Sequence, residues 1–187
     1  MILTPHLMRL EAHLAAGTWR DADVTAIQSK AFSGDSASNR SGLDGIVLGR
    51  ALQQGDQRRI QQFFDQHAGP LDSFRRLVAP GVDRTIALSG LRRLADDPTL
   101  QARPLQMYTL AQLAAEWGDT ELSLKALRSQ AQIGNLFLLW RPGLKDVRRT
   151  PGFKALVREL GLYDYWRATG QWGEFCHPVD QNDFECS

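Results

Sequence analysis

Residues 108–131 read YTLAQLAAEWGDTELSLKALRSQA, and this stretch decides the fold. Before Gly118-Asp119, the residues Tyr108, Leu110, Leu113, Ala114 and Trp117 recur at helical spacing, and after it Leu122, Leu124, Leu127 and Ala131 do the same. A glycine just past a helix end takes the left-handed conformation without a side-chain penalty. Asp119 is then placed to cap the next helix by accepting its orphan backbone N–H groups. The predicted unit is an amphipathic helix, a glycine turn and a second amphipathic helix folded back on the first.

The same unit recurs along the chain. Leu7, Leu10 and Leu14 lead to Gly17, and Val24, Ile27, Ala31 and Phe32 follow. Ile46, Val47, Leu48 and Leu52 precede Gly55-Asp56, with Ile60, Phe63 and Phe64 beyond. Leu71, Phe74, Leu77 and Val78 precede Pro80-Gly81, with Ile86, Leu88, Leu91 and Leu94 beyond. The turn glycines at 17, 55, 81 and 118 are 38, 26 and 37 residues apart. Two of those intervals lie near the roughly 34 residues of a tetratricopeptide unit. Alternating strand patterns are scarce, Ser33–Gly42 reads as a polar crossover loop, and Pro98 and Pro104 bracket the join into the fourth hairpin. The expected fold is all-α: a right-handed, tetratricopeptide-like α-solenoid of antiparallel helical hairpins. It spans residues 1–176 without an internal boundary, ends in an aromatic-rich cap over 140–176, and leaves 177–187 as a polar tail.

Composition narrows the function classes. The chain has 187 residues, 43% hydrophobic and 23% charged, the balance of a soluble globular protein with ample core. A net charge of +1 argues against a global electrostatic grip on nucleic acid. No stretch approaches the roughly 18 uninterrupted apolar residues of a membrane span. His6, Arg9, Glu11 and His13 interrupt the start, so no secretory signal is visible. A cytoplasmic protein is expected, with Cys176 and Cys186 as reduced thiols; one bridge across the short segment between them is the alternative.

The last third changes character. The residues Trp140, Pro142 and Leu144 lead into an Arg148-x-x-Pro151-x-Phe153 step and then Gly161-Leu162. Tyr165-Trp166, Gly170, Trp172 and Phe175-Cys176 complete the string. It resembles the C-terminal end of tetratricopeptide-type regions in bacterial winged-helix transcriptional regulators and class III nucleotide cyclases. In that family a helical array follows the output domain. Upstream here there is no winged-helix pattern, no cyclase carboxylate pair and no phosphate loop of the form GxxxxGK[ST]. The resemblance therefore implies the sensor or interaction half of such a regulator.

Candidate chemistry is sparse. Cys176-His177 with Asp180, Asp183 and Cys186 is a poor match to a four-ligand zinc site, and reads better as a flexible tail. Neighbouring Cys and His do not make a nucleophile and its base, which meet through the fold. His6 and His13 lie two helical turns apart, and with His67 they read as surface or capping residues. Asp96-Asp97 suits a helix end before Pro98. No catalytic, cofactor-binding or metal-ligating residue is assigned.

One charge feature stands out. Arg58, Arg59, Arg75, Arg76, Arg84, Arg92 and Arg93 face three aspartates in the same stretch, a local charge of +4. Solvated helix faces explain it most simply; an anionic partner on a shared groove is the functional reading. The leading expectation is a non-enzymatic module that binds a protein or peptide partner, without cofactor, direct nucleic-acid contact or membrane. The alternative is a small-molecule sensor with a pocket between helices lined by Trp117, Trp140 and Trp166.

The cap residues are Trp140, Pro151, Phe153, Gly161, Tyr165, Trp166, Trp172 and Phe175. Tyr165 and Trp166 are expected to pack back near Leu127 and Leu139, because nothing later looks apolar enough to cover that end. Trp166→Ala is then expected to cost about 3–5 kcal/mol in a denaturant titration, and replacing Cys186 little. An unchanged midpoint for Trp166→Ala would exclude a structural cap.

Overall fold

The structure is a computed structural model that describes residues 47–52, 54–69, 71–172 and 175–187. The first expected hairpin, its Gly17 turn, His6, His13 and the Ser33–Gly42 loop lie outside the described residues. The chain divides at Val82 into two compact units.

In the first unit, helical residues 47–52 are followed by α1 (Gln57–Gln66) and the single turn α2 (Asp72–Arg75). Gly55 has φ +63° in the turn, and the Asp56 carboxylate accepts from the Arg59 N–H at 3.0 Å to cap α1. The core is Leu48, Leu52, Ile60, Phe63, Phe64, Leu71, Phe74 and Val78. His67 ends α1, its ring stacked on Phe63 with centroids 4.4 Å apart and its Nδ1 2.8 Å from the Phe63 carbonyl. It is the capping histidine that the sequence suggests.

The second unit is built around one hairpin. It comprises α3 (Arg84–Ala95), α4 (Pro98–Gln101), α5 (Pro104–Glu116) and α6 (Thr120–Gln132). Two 3-10 turns, Leu136–Trp140 and Pro142–Leu144, lead to α7 (Lys145–Arg148), α8 (Pro151–Glu159) and α9 (Leu162–Thr169). Two short strands, β1 (Cys176–Pro178) and β2 (Phe184–Cys186), complete it.

Helix α5 is buried on every side from Gln106 to Ala114, with α3, α4, α6 and the second 3-10 turn around it. A helix buried all round in this way belongs at a core's centre rather than on its surface. Gly118 makes the α5–α6 turn at φ +71°, and Asp119 caps α6 by accepting from Leu122 N–H at 3.0 Å. The break before α8 is where Thr150-Pro151 places it. Pro151 occupies the first helical turn, where its missing N–H costs nothing, and the Thr150 hydroxyl accepts from Phe153 N–H. At Gly152 the backbone comes so close to α6 that a Cβ would sit 2.5 Å from Leu124 Cδ1.

The described residues are therefore mostly helical, and the all-α expectation is corrected at the C-terminal end. Residues 177–187 are not a loose polar tail. β1 and β2 pair antiparallel, Cys176 opposite Cys186, His177 opposite Glu185 and Pro178 opposite Phe184. Cys176 and Cys186 form a disulfide. The physical reason is local turn chemistry: Asp180 Oδ1 accepts from the N–H groups of Asn182 and Asp183 at 2.7 and 2.8 Å. That closes the chain on itself and brings the flanking cysteines into register.

Candidate functional site

One aromatic side chain and one carboxylate are prominent among the contacts that fix the C-terminal hairpin to the helices. Phe184 is wholly buried. Its ring lies 5.4 Å from Tyr163, 5.9 Å from Trp166 and 6.2 Å from Trp172. Asp183 receives Lys154 Nζ at 2.7 Å and Arg158 Nη2 at 3.0 Å, both from α8. Arg158 also donates to the Asn182 carbonyl at 3.1 Å and lies over the rings of Tyr163 and Phe184. Lys154, the Asp183–Phe184 turn and Arg158 together hold the Asp183 carboxyl down at about 2, from its ordinary 3.8.

Most of the expected cap residues cluster, under a different cover from the expected one. Trp140 stacks nearly parallel on Phe175, meets Phe153 edge-on and lies 6.0 Å from Trp166. Trp166 is buried and its neighbouring rings are Trp140, Trp172 and Phe184. Gly161, at φ +69°, stands at the start of α9. Tyr165 does not join the cap: it is 53% exposed, because the residue next to Trp166 on α9 turns about 100° away from the buried side. The element that seals this end is the hairpin through Phe184, which sequence reasoning passed over as part of a polar tail. A signal was present in the even placement of Cys176 and Cys186 about the Asp180–Asp183 turn.

The seven arginines are divided between the units, four in the first and three in the second. Several are occupied. Arg59 pairs with its helix-cap Asp56 at 3.5 Å, and Arg75 pairs with Asp65. Arg84 donates to the Trp117 carbonyl, and Arg92 pairs with Asp119 at 2.5 Å. Arg58, Arg76 and Arg93 are exposed and form no ion pair among the described residues. The acids that neutralise this stretch thus include helix caps as well as local surface residues.

One face of α3 places an exposed apolar side chain beside two arginines. Thr85, Ile86, Ser89, Arg92 and Arg93 fall on successive turns of a single stripe and line a shallow groove of about 460 Å³. Ile86 is 63% exposed there. The remaining candidates have structural duties. Asp97 caps α4 through Thr99, whose hydroxyl and N–H hold its carboxyl below the usual range, while Asp96 pairs with Lys125 at 2.5 Å. Cys176 and Cys186 are bonded to each other and are not thiolates. Trp140 and Trp166 lie together in the packed cap, and Trp117 sits at the α5–α6 turn.

No family model, no curated protein and no solved structure matches the chain.

Two outcomes follow from the hairpin's attachment. Breaking the bridge with Cys176→Ser and Cys186→Ser together is expected to cost about 2–3 kcal/mol in denaturant titrations, from the loop it closes. An unchanged midpoint would mean that the bridge constrains nothing. Because the Asp183 carboxyl is depressed to about 2, its contacts favour the charged form. Their stabilisation is complete above about pH 4 and is lost as pH falls through about 2. Tryptophan fluorescence of the cap is expected to change across that window, and Asp183→Asn to abolish this step.

Proposed function

We propose that this chain is a non-enzymatic interaction module that binds an acidic, partly apolar segment of a protein partner along α3. The observation that carries the reading is the α3 stripe: an exposed isoleucine beside an unpaired arginine on one groove. A large apolar side chain held in water gains by being covered, and a neighbouring cation selects an anionic residue on what covers it. The helical hairpins are read as part of a tetratricopeptide-like right-handed stack, an architecture that presents extended surfaces to partners. The C-terminal string from Trp140 to Cys176 supports placement in a bacterial regulatory protein, by resemblance alone.

The test is fluorescence anisotropy with a panel of labelled acidic peptides carrying leucine or phenylalanine, against charge-reversed peptides. Saturable binding of acidic members that weakens with salt is expected. Arg93→Glu and Ile86→Glu should each weaken it about tenfold or more while the far-UV dichroism stays unchanged. Equal binding of basic peptides, or indifference to both substitutions, would overturn the reading.

A further inference from the structure

Arg148 is the largest fully buried side chain among the described residues, 1% exposed, and it forms no ion pair with a side-chain carboxylate there. Its Nη1 donates to the carbonyls of Arg141 at 2.7 Å and Leu139 at 3.4 Å, and its Nε to the backbone oxygen of Ser187 at 2.8 Å. The Phe175 ring lies 4.8 Å from the guanidinium carbon. Nη2 makes no hydrogen bond within the described chain. A buried guanidinium held by backbone oxygens and an aromatic face in this way keeps Nη2 for a further acceptor.

Arg148 lines a cleft of about 360 Å³ between the α7–α8 region and the hairpin. Arg149, Lys154 and His177 line it too, with Glu185, Cys186 and Ser187 on the hairpin side. Arg149 is offset by Asp146 only at 3.7 Å, with that carboxylate almost fully exposed. Lys154 is engaged by Asp183.

We propose that this cleft is a binding site for the phosphate group of a small phosphorylated molecule. Arg148 supplies a fixed donor from the buried side, and Arg149 and His177 close on the group from the rim. A tetrahedral oxyanion uses donors arriving from several directions, whereas a planar carboxylate is satisfied by one guanidinium edge. The volume exceeds what inorganic phosphate fills and falls within the range of small-ligand sites. The site shares no residue with the α3 stripe, so it stands or falls separately from the proposed partner binding.

The test is a titration of the whole chain followed by ¹H–¹⁵N spectra, with inorganic phosphate, ribose 5-phosphate and chloride at matched ionic strength. Saturable shifts confined to residues 148–154, His177 and Glu185–Ser187 are expected with both phosphates and absent with chloride. Tighter binding of ribose 5-phosphate assigns a phosphate ester; equal binding assigns the free ion and overturns the claim of a phosphorylated molecule. Arg149→Gln and His177→Ala alter exposed side chains, so the fold is kept, and each should weaken binding about fivefold. Arg93→Gln on α3 should change nothing. Shifts no larger than those of chloride, or variants that bind like the parent, would overturn the site itself.

Discussion

The C-terminal third depends on Arg148. Burying a guanidinium is costly, and desolvation lowers its pKa to about 10, so it remains charged at neutral pH. The charge has to be met by fixed backbone oxygens, and two chain segments supply three of them. The carbonyls of Leu139 and Arg141 come from the first 3-10 turn and its exit, and the oxygen of Ser187 from the end of β2. Losing any of these would leave a buried donor unmet, so the turn, α7 and the hairpin are mutually constrained. Lysine could not substitute, because one ammonium lacks the planar fork that reaches carbonyls on opposite sides.

Around that charge, the apolar cap and the ion pairs divide the work. Trp140, Phe153, Trp166, Trp172 and Phe175 form the packed mass, and Phe184 closes it from the hairpin side. Lys154 and Arg158 are half-exposed and pair in a region open to solvent, where ion pairs contribute little singly. Their significance is positional: they hold Asp183 so that the adjacent Phe184 enters the cap. The aromatic cluster is thereby covered by a covalently closed hairpin.

The helical hairpins were legible because their information is local. Gly118-Asp119 carries the turn and the cap in two adjacent residues, and Thr150-Pro151 carries the start of α8. The all-round burial of α5 was less legible, since a helix with Tyr108, Leu110, Leu113 and Ala114 reads as amphipathic until its neighbours are known. The β-hairpin was hidden for another reason. Its only large apolar anchor is Phe184, and the residues that hold its turn, Lys154 and Arg158, lie 29 and 25 positions away. The arginine-rich stretch was visible as a charge excess, but Arg92 finds its acid 27 residues downstream at Asp119. Counting charge along the chain therefore overstated what is left to meet a partner.

The central claim is that the chain's last residues belong to the folded unit, anchored through Arg148 and Phe184. Native-state hydrogen exchange of the Ser187 amide tests it most directly. That N–H donates to the Phe175 carbonyl at 2.8 Å, next to the oxygen that Arg148 holds. The account predicts exchange slowed to a rate comparable with the amides of α8. Exchange at the rate of an unstructured terminus would contradict it.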